Sequence, residues 1–148
     1  KYANGNGNKF TKYCNKKSYG DNGFTDNKTT LEPEDDAAHV NWDGSWRMPT
    51  DAEWIELRDN CTWTWTTQNG INGYQITNKT NSNSIFLPAA GGRYDTDLYY
   101  FGRNGYYWSS LVGENYPVTA WCLDFDSDYA DRDYDRREGG HSVRPVCP

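Results

Sequence analysis

The sequence predicts an α+β domain, with two short helices early in the chain and a small, mostly antiparallel sheet after them. Three observations predict it: a helix-capping pattern at Thr50–Glu53, a switch to period-two alternation after Cys61, and short aromatic-rich runs separated by Gly and Asn turns. At 148 residues the chain is long enough for one domain with a real core and too short for two, so residues 1–148 are read as a single unit.

The first thirty residues are rich in Gly, Asn and Lys, punctuated by Gly5, Gly7, Gly20 and Gly23, and predict a loop-rich surface wrap with short strands over residues 1–30. Glu32 to Trp42 places Pro33 near a first helical position with acids around it, which predicts a short helix. The second helix follows Thr50, whose side chain and that of Glu53 are spaced to satisfy each other's backbone donors; Trp54 and Leu57 then fall on one buried stripe. Thr62-Trp63-Thr64-Trp65-Thr66 sets both tryptophans on one face of a strand, and Gln68-Asn69-Gly70 reads as a turn. Further strands are expected at 74–77, 84–87, 106–109, 120–125 and 142–146. Trp46, Trp54, Trp63, Trp65, Trp108, Tyr107 and Leu123 are assigned to the core.

Composition narrows the function. An aromatic content of 16% is too high for a disordered chain, although the mean hydropathy is -1.04. A formal net charge of -6 without a basic stripe argues against nucleic acid or an anionic membrane as partner. No apolar run approaches the roughly 18 residues of a membrane span, and Lys1-Tyr2-Ala3-Asn4 does not open a signal peptide. Cys14, Cys61, Cys122 and Cys147 lie far apart in sequence, which favours disulfides over a zinc site and hence an extracellular setting. No cofactor is implied. Asp124-Phe125-Asp126-Ser127-Asp128 begins like a calcium loop, but Tyr129 stands where such a loop needs Gly. His39 and His141 are the only histidines, and neither has a nucleophile and matching acid nearby in sequence.

The two parts of the chain obey different compositional rules. Every lysine precedes residue 80, whereas Arg93, Arg103, Arg132, Arg136, Arg137 and Arg144 supply all later positive charge, and Tyr and Asp crowd the tract from Arg93 to Asp135. Chance in a short chain is one explanation. A codon rule is the other: an AAC codon randomised at both adenines encodes Tyr, Asp, Asn, Ser, Arg, His, Cys and Gly but never Lys, Gln, Met, Trp or Glu. Trp108, Glu114, Trp121 and Glu138 lie outside that set and would be fixed positions.

Four motifs in order, Trp46-Arg47-Met48-Pro49-Thr50-x-x-Glu53-Trp54, Phe86-Leu87-Pro88-Ala89-Ala90-Gly91, Gly105-Tyr106-Tyr107-Trp108-Ser109-Ser110 and Gly140-His141-Ser142-Val143-Arg144-Pro145-Val146, give the stretch from Leu31 to Cys147 a family resemblance. It resembles the Fibrobacter succinogenes major paralogous domain. The resemblance implies a C-type-lectin-like fold of the formylglycine-generating-enzyme type. It also implies kinship with the variable proteins of diversity-generating retroelements, of Bacteroides or phage type, with residues 91–147 as the variable region. On that basis the expected function is a non-catalytic, receptor- or adhesin-like module at a cell or virion surface. Its partner would be a protein or glycan, with no nucleic acid and no direct membrane insertion. A fixed-specificity adhesin or glycan-binding lectin-like domain is the alternative, and an oxidase like the formylglycine-generating enzymes comes third.

Strand alternation in 121–126 sends Leu123 and Phe125 to one face and Cys122, Asp124 and Asp126 to the other. The family's diversified positions match this outward set. The expected ligand-binding residues are therefore Cys122, Asp124, Asp126, Tyr129, Asp131, Asp133, Tyr134, Asp135 and Arg136, with Tyr94, Asp95, Tyr99, Tyr100, Asn104 and Tyr106 from the preceding loop. Tyr offers a large amphipathic contact at low entropic cost, and Asp, Asn and Arg add directional hydrogen bonds. Arg47 and Arg144 are expected in ion pairs, with Glu53 as the natural acid.

Overall fold

The protein is described by a computed structural model over residues 9–42 and 44–147, so the expectations for Gly5 and Gly7 lie outside the described residues. Two 3-10 turns, Asp21–Gly23 and Pro33–Asp35, precede helices α1 (Ala37–Trp42) and α2 (Asp51–Asn60). Eight strands follow: β1 (Cys61–Gln68), β2 (Ile71–Asn78), β3 (Ser84–Pro88), β4 (Gly92–Tyr94), β5 (Asp97–Tyr99), β6 (Gly105–Val112), β7 (Thr119–Phe125) and β8 (Ala130–Arg136). They form three antiparallel sheets, β1-β2-β3, β4-β5 and β6-β7-β8, so the architecture is α+β as expected.

Helix α2 starts where the capping pattern puts it. Thr50 Oγ1 accepts from the Glu53 N–H at 3.2 Å while Glu53 Oε2 accepts from the Thr50 N–H at 2.8 Å. The same Glu53 carboxylate takes both terminal nitrogens of Arg47 at 2.7 Å, fixing the strand-like entry to the helix. Between β1 and β2 the chain reverses at Asn69-Gly70, both with positive φ (50° and 80°), the geometry a two-residue hairpin demands.

The core is a layer of rings. Tyr74 receives Trp63 and Trp65 edge-on at 5.3 and 5.2 Å and lies 5.4 Å from Phe125, which in turn stacks on Tyr107 at 5.9 Å. Trp54 closes the layer from α2, 6.2 Å from Tyr107, in one cluster with Ile76, Leu87 and Leu123. Each such ring pair adds on the order of 0.5–1.5 kcal/mol beyond burial. Gly105 is part of the same packing, since a Cβ there would lie 2.1 Å from the Phe125 ring.

Several expectations are corrected. The helix anticipated across 32–42 breaks at Asp36, because its carboxylate accepts from the backbones of Ala38, His39 and Met48 and so starts α1 afresh. Residues 142–146 are no strand; they make single bridges, Ser142 to Tyr107 and Val146 to Arg47. Trp46 is 41% exposed rather than core, edge-on to Trp42 at 6.2 Å. Cys14, Cys61 and Cys122 are buried free thiols and Cys147 is exposed, so the expected disulfide framework is not formed.

The N-terminal segment is more than a surface wrap. Phe10, Tyr13 and Cys14 are buried, and Asp26 accepts from the Tyr13 and Cys14 N–H groups at 2.7 and 2.9 Å. Arg137 lies over the Phe10 ring at 4.5 Å and donates to the carbonyls of Tyr13 and Pro117, stitching the segment to the end of β8.

Candidate functional site

Strand β8 sets the site, and the residues alone do not announce it. Its stretch Ala130-Asp131-Arg132-Asp133-Tyr134-Asp135-Arg136 carries almost no apolar signal, yet it pairs with β7 in continuous register from Phe125–Ala130 to Thr119–Arg136. Charged edge strands of this kind are a common safeguard against edge-to-edge pairing. The register divides the expected ligand-binding residues between the two faces of the sheet.

On one face Tyr106 stands opposite Asp124, Asp124 opposite Asp131, Cys122 opposite Asp133, and Asp135 lies beyond. Burial comes first among the causes that push the Asp124 carboxyl up to about 6, followed by the charges of Asp133, Asp126 and Asp135. Its Oδ1 is buried without a partner. Burial likewise pushes the Tyr106 phenol up to about 12, with Asp124 adding to it. Asp133 is exposed and caps the Tyr134 N–H at 2.7 Å; Asp131 is drawn aside by Arg58 of α2. Asp126 accepts from the Asp128 N–H at 2.9 Å within the exposed β7–β8 turn, and Tyr129 projects from that turn into solvent.

Cys122 is a correction to the expected display, for it is only 1% exposed. Burial, then the charges of Asp124, Asp135 and Asp133, holds its thiol protonated far above the usual range. It floors the face rather than presenting itself.

The other face receives Tyr134 and Arg136. Tyr134 meets Trp121 edge-on at 5.6 Å, and the Arg132 guanidinium lies 3.9 Å over that indole while pairing with Asp51 at 3.0 Å. Trp121, Tyr134, Arg132, Tyr116 and Glu114 line a cavity of about 250 Å³ there. Arg136 is exposed and pairs with Glu138. Tyr134 and Arg136 thus belong to a surface separate from that of Asp124 and Asp133.

The β4–β5 hairpin overhangs the acidic face. Its turn holds Asp95 at φ 53°, and the hairpin is tied to the scaffold by backbone bridges of Gly91 to Gly105 and Arg93 to Gly140. Tyr94, Leu98, Tyr99, Tyr100 and Phe101 are all exposed, with Tyr94–Tyr99 and Tyr99–Tyr100 ring pairs at 5.9 and 6.4 Å. Asn104 ends the connection to β6, its N–H donating to the Tyr100 carbonyl and its own carbonyl accepting from Gly91. Leu98, Asp97 and Phe101 join this surface without having been expected there; a three-residue strand gives too short a period to find them.

His141 is likewise an unexpected part of the site. Its side chain is fully buried (0% exposed) among Trp108, Tyr106 and Tyr94, whose rings lie 4.2, 5.1 and 6.4 Å away. Its Nε2 lies 3.0 Å from Asp135 Oδ2, which also accepts the Tyr94 hydroxyl. Burial drives its pKa down to about 4 against the opposing charge of Asp135, so the imidazole is neutral near pH 7 and its Nε2–H is the donor. This places one buried side chain under the hairpin and the strand at once.

Elsewhere, Arg47 and Glu53 form the expected pair, whereas Arg144 is exposed and has no carboxylate partner among the described residues. Glu32, Glu34 and Asp35 bring carboxylates within 4.8 Å of one another, but the Lys12 ammonium already sits among them, 2.7 Å from Glu32. No helix among the described residues is long and apolar enough to cross a membrane.

These features define a small α+β domain whose edge strand and overhanging hairpin carry a Tyr- and Asp-rich surface. The chain belongs to the family described as a domain of unknown function (DUF8237), which matches residues 64–146, from within β1 through the C-terminal bridges. No curated protein and no solved structure matches the chain.

Proposed function

We propose that this chain is a non-catalytic ligand-binding module, displaying the β4–β5 hairpin and the acidic face of β6-β7-β8 to a macromolecular partner at a cell or virion surface. One observation carries the reading: Tyr94, Tyr99, Tyr100 and Phe101 are solvent-exposed together with Asp95 and Asp97 on the β4–β5 hairpin and its exit, which backbone bridges and the Tyr94 hydroxyl on Asp135 hold to the scaffold. Exposed aromatics concentrated on a rigid support are costly to solubility and suit recognition. The chemistry beneath them is quiet. The Cys122 thiol is held protonated and the His141 imidazole is sealed from solvent, so neither is poised as nucleophile or base.

In this reading the fold is the C-type-lectin-like type that the motifs resemble, and the Tyr/Asp surface is one sample from a retroelement-diversified set. Asp133 and Tyr129 are exposed on or beside the face opposite Leu123 and Phe125 and can vary without touching the core, whereas Cys122 beneath them is buried. A fixed glycan-binding role is the second reading, favoured by the Trp121–Tyr134 cavity, where an aromatic wall and a guanidinium adjoin.

Two measurements separate these readings. A near-copy of the segment encoding 91–147, differing only at adenines and lying beside a reverse transcriptase gene, supports diversification. On glycan and surface-protein arrays, binding abolished by joint replacement of Tyr99, Tyr100 and Tyr129 supports the hairpin face. Binding abolished only by Trp121→Ala overturns it in favour of the glycan cavity.

A further inference from the structure

A second concavity lies away from the Tyr/Asp surface, between α2, the β1–β2–β3 sheet and the C-terminal segment. It measures about 350 Å³, and its walls include Trp54, Leu57, Cys61, Ile85, Pro145 and Val146. That size is at the small end for ligand sites and fits a compact molecule of about ten non-hydrogen atoms.

Its unengaged polar groups are donors in want of an acceptor. Trp54 is 4% exposed and its indole Nε1 is sealed from solvent, so the ring serves the concavity as apolar wall and the available donors lie elsewhere on the rim. Arg144 contributes an exposed guanidinium with no carboxylate partner among the described residues. Asn78 spends its side-chain oxygen on the N–H groups of Thr80 and Asn81 at 2.8 and 3.1 Å, leaving its NH₂ to offer.

The acids present do not cancel this preference. Glu53 is neutralised by Arg47 at 2.7 Å and engaged by Thr50. Glu56 lies on the outer wall, where contact with water screens its charge.

We infer that this concavity is a binding site for a small apolar carboxylate, whose carboxylate pairs with Arg144 and whose hydrocarbon body fills the Trp54–Leu57–Ile85 wall. The planar Arg fork matches the two oxygens of a carboxylate at once, and the apolar walls suit the hydrocarbon body behind it. The site is independent of the macromolecular surface proposed above, since none of its residues lies on β4 to β8.

The test uses 3-phenylpropionate and its neutral twin 3-phenylpropanamide, titrated into the isotopically labelled protein and followed by backbone amide shifts. The expected result is saturable 1:1 binding of the carboxylate at about 1 mM or tighter, with shifts centred on Leu57, Cys61, Asn78 and Val146. The amide should bind about tenfold more weakly. Arg144→Met should erase that preference without altering the melting curve, as the side chain is exposed. Trp54→Phe should weaken both probes; because this variant touches the core, Arg144→Met remains the deciding one. Absence of saturable shifts, shifts centred on Tyr99 or Trp121, or an undiminished carboxylate preference in Arg144→Met would each overturn the assignment.

Discussion

Asp124→Asn is expected to stabilise the protein near neutral pH and to leave it unchanged in acid. The carboxyl sits between Tyr106 and Asp131 in the ladder, with Asp133, Asp126 and Asp135 near it and its own Oδ1 unpartnered. Its pKa rises from 3.8 to about 6 on folding. The folded state therefore holds this proton more tightly than the unfolded chain does. The stability this confers is whole below about pH 4 and is lost as pH rises through about 6. A rise of that size corresponds to about 3 kcal/mol unscreened. The side chain is only half-buried, so solvent screening reduces the effect to about 1 kcal/mol. Burial of neutral His141 acts oppositely: its pKa falls from 6.5 to about 4, so stability is lost as pH drops through that window. The two slopes offset one another in the parent protein, and only the difference between parent and variant isolates Asp124. Urea denaturation at about pH 4 and about pH 7 should give a difference near zero at the first and about 1 kcal/mol in favour of the variant at the second. An equal difference at both values, or a variant less stable at neutral pH, would refute the account of the acidic face.

Gly105→Ala should cost about 2–3 kcal/mol in denaturant melts, because its Cβ would meet the Phe125 ring at 2.1 Å and push it from the ring layer; a neutral result would mean the layer is loosely packed. Asp36→Ala should cost about 3 kcal/mol, since it strips an acceptor from the backbone N–H groups of Ala38, His39 and Met48, and amide exchange at Met48 should accelerate most. Replacing Tyr99, Tyr100, Tyr129 and Asp133 together with Ser should move the melting temperature by only a few degrees, as exposed side chains change stability by about 0.5 kcal/mol or less each; a large fall would show that these residues belong to the scaffold.

What the sequence revealed, and what it hid, follows from the range of the signals. The Thr50–Glu53 cap, the Asn69-Gly70 turn and the Trp63/Trp65 face are local and strongly patterned, and each appears where the residues predict it. Strand β8 was hidden because its pairing partner, β7, supplies the apolar content that β8 lacks. Tyr134 and Asp133 look alike among polar loop residues, but one step along a strand sends them to opposite faces. Trp46 failed as a core residue because an aromatic run near α1 gives no information about which ring the helix covers. His141 was invisible as a site residue because its partners, Asp135 and Tyr94, come from two different elements.

If the displayed face is diversified as proposed, Cys122 marks where its variation must stop. It alternates with Leu123 as a displayed residue should, and the codon rule admits Cys as readily as Tyr or Asp. Even so, it is buried, one position along from Trp121 and directly across from Trp108 and Asp133. A Tyr there would have to displace close-packed neighbours, and an Asp would bury a further charge beside Asp124, whose own ionisation is already opposed. Position 122 therefore accepts only small, uncharged side chains, while Asp133, one strand outward, is free to change. The same reasoning marks Asp135, which the scaffold residue His141 holds from below, as the outward residue whose replacement would most disturb the hairpin through Tyr94.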